Sequence, residues 1–410
     1  VKILHVSTLS SGGAFNAANR LHQGLKINGV DSVFLTLKKH SSSDGLTFPA
    51  FGLYGLTVKK RLFSRLGLRP LSSLDRLKDY EGLGKKVEAF ALPSSDYSLG
   101  GYINRFLKPD IINLHWVSNF LDYKEFFSSV NVPVIWTLHD EQPFSAYWHY
   151  SNDRIQTPEA KEIEKRYFKI KDEALNSFHH QLSIVAPSQW LLDQSKNSPL
   201  FKDYTHKLIR YGLDTDVYRM TQALPKSFDS DQIAKDKVKL LFICQSVSNQ
   251  RKGMKVLLDA FSQLDKNKYQ IIAVGEANEE FKMELSPSTI YTGSVSDEEE
   301  LARIYNFCDA MIIPSKQDNL PNTMLESLSC GTPVIGTPAG GIAEILLNPE
   351  LGILSESHDP ADLASAIRNF SLKRFDCKLI STFARDAFSL DYQAKQYLTL
   401  YKEVLDQRKV

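Results

Sequence analysis

Short runs that are apolar on both faces, each followed by a helical pattern, recur along this chain and then begin again at mid-length. That alternation fits a parallel sheet covered by helices on both sides and little else. Val1–Thr8, Ser32–Leu37, Asp110–His115, Val132–His139 and Leu182–Pro187 read as strands, with a helix over Phe15–Asn28 ended by Gly29. The second series has strands at Val238–Cys244, Tyr269–Val274, Thr289–Tyr291, Ala310–Pro314 and Pro333–Gly336. Its helices are expected at Met254–Leu264, Glu298–Phe307, Thr323–Cys330 and Pro360–Phe370.

A chain of 410 residues accommodates two domains of about 200 residues. The fold class expected is α/β, with two Rossmann-like, doubly wound parallel-sheet domains facing across a cleft. Residues 1–213 form the first, 237–388 the second, and the aperiodic stretch 214–236 is expected to link them. Ser389–Leu405 carries Tyr397, Leu400, Tyr401 and Val404 at helical spacing. A helix over 389–410 is therefore expected to pack back toward the first domain. Ligands of such sheets bind outside the strand carboxyl ends, which makes the cleft the expected site.

Bulk properties exclude several classes. Forty-nine basic and 48 acidic residues leave a net charge of +1, which argues against nucleic acid as a partner. No run approaches the roughly 20 apolar residues that span a bilayer. The chain opens on a strand, and a cytoplasmic location is expected. Cys244, Cys308, Cys330 and Cys377 lack Cys-x-x-Cys spacing. They are expected to be buried free thiols in a reducing compartment, with no zinc site or disulfide.

Chemistry concentrates at strand ends. Pro314 closes a buried strand, and Asp318-Asn319-Leu320-Pro321-Asn322-Thr323-Met324-Leu325-Glu326 follows. Asn322 is expected to cap a helix whose first N–H groups, around Asn322 and Thr323, form an anion site. Glu326, one turn inside, is an acceptor-only carboxylate suited to the two hydroxyls of a ribose. Asp318 could accept from a sugar hydroxyl. Each acid, taken singly, reads equally as a solvated residue near a helix terminus.

Asn249-Gln250-Arg251-Lys252-Gly253 places two cations before a glycine that opens a helix. Arginine would grip a diphosphate as a fork and lysine as a point charge; a solvated basic turn is the plainer alternative. Gly12 and Gly13, directly after the first strand, allow close backbone approach and positive φ. His139 ends the strand Trp136-Thr137-Leu138-His139, and His115 ends its neighbour, a weaker candidate. Phe144–Tyr150 is either an aromatic acceptor platform or packing.

The acidic segment, together with Gly331-Thr332-Pro333-Val334 after it, resembles retaining glycosyltransferases of the GT-B fold, family 4, of the bacterial polysaccharide-biosynthesis type. Those enzymes carry two glutamates separated by seven residues, then an apolar helix and a Gly-x-Pro-Val strand. The resemblance implies a UDP- or GDP-hexose donor bound by Gly12, Gly13, Arg251, Lys252, Asp318, Asn319, Leu320, Asn322, Thr323 and Glu326. His139, Arg251, Lys252 and Asp318 are the expected catalytic set, and Glu326 the ribose ligand. Arg20-Leu21-His22-Gln23-Gly24-Leu25 also looks like one bacterial subgroup. Asp318 replaces the usual glutamate, one methylene longer. Val247 stands where the family usually has an arginine, a charge that Arg251 is expected to replace.

Transfer with retention is carried over from the family, with no enzymic nucleophile and the leaving phosphate helping to take the proton. No cofactor or metal is expected. Asp214-Thr215-Asp216, which looks like a metal motif, matches the family's hinge and reads as a turn. The implied acceptor is a glycan or lipid-linked glycan. Residues 56–78 hold Lys59, Lys60, Arg61, Arg65, Arg69, Arg76 and Lys78 against Asp75. This is either a solvated face or a contact with anionic lipid at the inner face of the plasma membrane. A sugar-nucleotide epimerase and an inactive nucleotide-sugar-binding homologue remain as alternatives.

Overall fold

The computed structural model describes residues 1–39, 45–49, 79, 83, 90–227, 234, 236–246, 249–277 and 289–407. The basic stretch 56–78 and Val247 lie outside these residues. The chain divides into two compact units, Val1–Arg210 with Ala394–Val410, and Tyr211–Gln393.

The first unit is built on a fully parallel sheet of seven strands in the order β3-β2-β1-β4-β5-β6-β7. The strands are β1 Lys2–Ser7, β2 Asp31–Thr36, β3 Leu46–Thr47, β4 Ile111–Leu114, β5 Val134–Thr137, β6 Leu182–Ala186 and β7 Thr205–Leu208. β4, β5 and β6 are buried at every position, as strands covered on both faces must be. One face packs Trp136, Phe120, Phe126 and Phe127 into a large aromatic core. The other packs Leu21 and Leu25 of the helix Gly13–Ile27 with Tyr397, Leu400, Tyr401 and Val404 of the helix Leu390–Gln407. Complete burial of each such side chain contributes about 1.5–3 kcal/mol. The last helix is also keyed to the sheet by polar contacts. Asn113 Nδ2 donates to Tyr401 Oη at 3.2 Å, and Thr137 Oγ1 lies 2.8 Å from Tyr397 Oη.

The second unit holds a parallel sheet of six strands in the order β10-β9-β8-β11-β12-β13. These are β8 Val238–Ser246, β9 Tyr269–Glu276, β10 Thr289–Gly293, β11 Ala310–Ile313, β12 Val334–Gly336 and β13 Gly352–Leu354. Its core joins Leu240, Phe242, Ile271 and Ile312 to Leu257 and Phe261 of the helix Met254–Phe261 and to Leu363 and Ile367 of the helix Pro360–Leu372. Sequence order reverses between β1 and β4 in the first sheet, and between β8 and β11 in the second. Each reversal opens a crevice at the strand carboxyl ends, where ligands of doubly wound sheets bind.

Three expectations need correction. Residues 214–227, expected within a linker, belong to the second unit. Thr221 N donates to Asn306 Oδ1 at 2.9 Å, and Ser227 donates to Glu300 Oε1 through N and Oγ at 2.7 and 2.6 Å. Hydrogen bonds fix this segment, and apolar periodicity carries no trace of them. Cys377 is exposed, whereas Cys244, Cys308 and Cys330 are buried. It begins the helix Cys377–Phe388, whose first turn is capped from outside by Asp376. Asn322 is the first residue of the helix Asn322–Ser329, and Pro321 holds the N-cap position without a side-chain bond. Proline presets the backbone at this entry in place of a polar cap.

Candidate active site

In the second unit, β8 and β11 lie side by side, and the loops leaving their carboxyl ends build one site. The first loop is a tight turn. Asn249 Oδ1 accepts from Arg251 N at 2.9 Å, Gln250–Lys252 forms one 3-10 turn, and Gly253 ends it at φ 76. A Cβ on Gly253 would stand 1.9 Å from the Pro314 carbonyl oxygen, so only glycine fits both the conformation and the contact. Lys316 N donates to Arg251 O at 2.9 Å, which fastens the turn to the second loop.

That docking brings the basic and acidic motifs together. Lys252 Nζ donates to Asp318 Oδ2 at 2.6 Å across 66 positions of sequence. Arg251 Nη1 donates to Gln317 O at 3.0 Å and lies 3.9 Å from Asp318 Oδ1. Ser315 Oγ donates to Asp318 Oδ2 at 3.3 Å, and Asn319 N to Oδ1 at 3.1 Å. Burial alone would push the Asp318 carboxyl up. The Lys252 ammonium, and then the Arg251 guanidinium, more than offset that and hold it below the ordinary carboxylate value. Asp318 is therefore an ionised, buried, fully oriented acceptor. Lys252, with 27% of its side chain exposed, has three N–H donors, and one of them goes to Asp318.

A second glycine locks the loop from the other side. Gly340, at φ 48, opens the helix Gly340–Leu346. A Cβ there would meet the Asp318 carbonyl oxygen at 1.8 Å. Gly341 N donates to Asn319 O at 2.6 Å. Leu320 is buried and Thr323 half-buried at the helix entry. Glu326 is also buried, on the same helix, and accepts from Tyr305 Oη at 2.9 Å. Burial, and then the Glu326 carboxylate, raise the Tyr305 phenol well above its ordinary value, so it remains a neutral donor. Glu326 is thus held by Tyr305.

In the first unit, the helix Gly13–Ile27 starts at the carboxyl end of β1. Gly12 is its N-cap at φ 91 and ψ 172, a region open to glycine alone. Gly13 is already helical, so only one of the expected pair has positive φ; the other presents a first-turn N–H. His139 belongs to a chain of imidazoles. His115 Nδ1 lies 3.1 Å from His139 Nε2, and His115 Nε2 lies 2.9 Å from His5 Nδ1. Each link needs one N–H and one lone pair, so the ring tautomers are coupled. Burial, then the neighbouring rings His5, His139 and His22, hold His115 well below the usual imidazole range. Burial lowers His139 to about 4 against an opposing pull from Asp140.

The aromatic stretch resolves mostly to packing. Ala146, Tyr147 and Trp148 join Leu83, Phe90, Leu92 and Tyr167 in a core cluster. Asp214 Oδ1 accepts from Asp216 N at 3.0 Å and Val217 N at 3.3 Å, so this carboxylate caps its own turn. Among the described residues, no group of three or more His, Cys, Asp and Glu side chains could hold a metal ion. No helix among them is long and apolar enough to cross a membrane.

Sequence reading missed Tyr305, Ser315, Gly340 and His5. Tyr305 and His5 look like ordinary core positions of a helix and a strand. Gly340-Gly341 was the one legible signal, since a glycine pair opening a helix marks a close backbone approach.

The chain is similar in sequence and fold to known proteins. The sequence model of the family described as "Glycosyl transferases group 1" matches residues 237–371, which contain Arg251, Lys252, Asp318, Glu326 and Gly340. D-rhamnosyltransferase WbpZ of Pseudomonas aeruginosa is 25% identical over 274 residues, 63% of each chain. A D-inositol 3-phosphate glycosyltransferase of Geodermatophilus obscurus is 34% identical over 106 residues, 25% of this chain and 23% of the relative. An uncharacterised glycosyltransferase of Methanocaldococcus jannaschii is 29% identical over 120 residues, 28% of this chain and 34% of the relative. The chain thus spans between about a quarter and just under two thirds of these relatives' length. Among solved structures, sucrose-phosphate synthase of Thermosynechococcus elongatus superposes with a TM-score of 0.71 at 18% identity, covering 99% of both chains. Anabaena HepE in complex with UDP and glucose superposes at 0.62 and 15% identity, covering 98% of this chain and 99% of that one. The fold is the GT-B architecture.

Proposed function

We propose that this chain is a group 1 glycosyltransferase of the family 4 type. It transfers a hexose from a UDP- or GDP-sugar, with retention, to a glycan or lipid-linked glycan in cell-surface polysaccharide assembly. The observation that carries the reading is the Arg251–Lys252–Asp318 cluster at the β8–β11 reversal. As the sugar–phosphate bond breaks, negative charge grows on the diphosphate. Arg251, Lys252 and the first N–H groups of the helix Asn322–Ser329 stabilise it without reorganising. Glu326, held by Tyr305, takes the ribose hydroxyls, and Asp318 orients Lys252 and a hydroxyl of the donor sugar. In this reading cations of the protein replace a divalent metal. The second unit binds the donor and the first the acceptor, with the basic segment 56–78 serving an acceptor on the inner membrane surface.

Similarity to WbpZ and to the D-inositol 3-phosphate enzymes supports transfer as the activity, and HepE in complex with UDP-glucose supports a nucleotide-sugar donor. The test is a thermal-shift screen of UDP- and GDP-sugars in EDTA. The donor that binds is then incubated with polyprenyl-diphosphate-linked saccharides, and the products are read by mass spectrometry and anomeric NMR. A retained glycoside formed in EDTA is the expected result. Epimerised donor without any acceptor product, or tight binding with no turnover, overturns the reading.

A further inference from the structure

Of the four tryptophans in the chain, three are packing residues. Trp136 is buried in the aromatic core of the first sheet, and Trp190 packs against the same core. Trp148 lies in the cluster with Tyr147 and Tyr167. Trp116 stands apart from both clusters. It is half-buried, two residues past the end of β4. An indole combines a large apolar face with one N–H donor, so holding part of it in water forgoes burial that the other three obtain.

Both the place and the tilt of this ring are fixed. Trp116 O accepts from Thr8 N at 2.7 Å and from Ser7 Oγ at 3.4 Å. These bonds tie it to the end of β1, at the β1–β4 reversal where ligands of such sheets bind. Trp116 Nε1 donates to Asp140 Oδ2 at 3.0 Å. The same carboxylate accepts from His149 Nδ1 at 2.7 Å and from Gln142 N at 3.0 Å. Asp140 and His149 are 7% and 5% exposed. The His149 ring lies against the indole, with centroids 5.1 Å apart and planes at 22°. One face of the indole is therefore backed by a buried imidazole, and its N–H edge is held by a buried acid. The exposed area is left to the other face and the carbon edge.

A pyranose carries the complementary surface. Its hydroxyls need hydrogen bonds, but the C–H bonds on one side of the ring form an apolar patch of weak positive charge. That patch suits the negative face of an aromatic ring. A ring already fixed in tilt loses little freedom when a sugar stacks on it. We propose that the Trp116 indole is a stacking platform for a pyranose ring, with Asp140 and His149 as positioning residues that fix its tilt. The platform lies wholly within the first unit. The transfer reading makes that pyranose part of the acceptor; stacking itself does not depend on it.

Two measurements test it. The first titrates wild-type protein with methyl β-D-glucopyranoside, methyl β-D-galactopyranoside and methyl α-D-mannopyranoside. In ¹H–¹⁵N spectra at least one of them should shift the Trp116 indole N–H, identified by its loss in Trp116→Phe, and leave that of Trp136 in place. The ring protons of that glycoside should move upfield, as protons above an aromatic face do. UDP alone should not move the Trp116 signal. The second measurement takes the saccharide that accepts sugar in the transfer screen. Its KM should rise about tenfold in Trp116→Leu and Trp116→Ala and stay within about threefold in Trp116→Phe, which keeps a flat ring. UDP affinity should be unchanged in all three. A packing role would not separate leucine from phenylalanine in this way. An indole that no glycoside shifts, one that answers UDP-glucose but no glycoside, or a Trp116→Leu enzyme with wild-type acceptor KM overturns the proposal. If a glycoside shifts the indole but the wild type transfers no sugar, the transfer reading falls and the saccharide platform stands.

Discussion

At the scale of single residues, the proposed donor site separates two acids by what holds them. Glu326 is engaged by the neutral phenol of Tyr305, whereas Asp318 is clamped by two cations. Glu326→Gln should raise the donor KM about tenfold or more with kcat nearly kept, since a charge-assisted bond is worth about 1.5–3 kcal/mol. Tyr305→Phe should move KM the same way by less, because it loosens the carboxylate without removing it. Initial rates against donor concentration check both, and an unchanged KM in Glu326→Gln would remove the ribose assignment. Both acids were legible in sequence because they sit on either side of a helix entry. Tyr305 was not, because its role exists only once the helix Glu298–Phe307 packs beside the helix Asn322–Ser329. Asn322 was misread because a polar residue near a helix start suits a cap, while Pro321 had already taken that place.

At the scale of elements, strands buried on both faces announce themselves as continuous apolar runs, and ten of the thirteen described strands were located; β3 is only the exposed pair Leu46–Thr47. β7 has the half-exposed pattern of an edge strand, and β13 spans only Gly352–Leu354. Neither has enough apolar length to stand out. The imidazole chain joins β1, β4 and the end of β5, and it gives the first unit a definite acid response. Burial holds His5 and His115 well below the usual imidazole range and lowers His139 to about 4. The unfolded chain takes these protons near about 6.5, so below that value it binds more of them than the native state does. Their contribution to stability should therefore rise as pH climbs from about 4 to 6.5. Glu141 opposes this, because burial lifts its carboxyl to about 7; the native state then holds the extra proton, and stability falls between about 4.3 and 7. Three imidazoles outweigh one carboxyl. Thermal unfolding should give a higher Tm at pH 6.5 than at pH 4.5, with a shallower slope in His115→Asn. A Tm that falls over that interval would contradict the account.

At the scale of the whole molecule, both sheets reverse their strand order where the candidate residues lie, although the second set is drawn from loops far apart in sequence. Motif reading found Arg251-Lys252 and Asp318 separately. It could not join them, because the joint is made by Gly253 against Pro314 and by Gly340 against Asp318, contacts between backbones. Gly340→Ala should lower stability and donor affinity together, since a Cβ 1.8 Å from a carbonyl oxygen forces the Asp318 loop to move; a variant with native Tm and native UDP affinity would deny the glycine that role. The central claim is that this joint binds the diphosphate of a nucleotide. Isothermal titration of UDP and GDP into wild type and the double variant Arg251→Ala/Lys252→Ala, in EDTA, tests it most directly. Each charge-assisted contact is worth about 1.5–3 kcal/mol, so the better-bound nucleotide should lose at least a hundredfold in affinity; the variant should also melt at a lower Tm, because buried Asp318 loses both its cations, while remaining folded at the temperature of the titration. A folded double variant that binds that nucleotide as tightly as wild type would contradict the account.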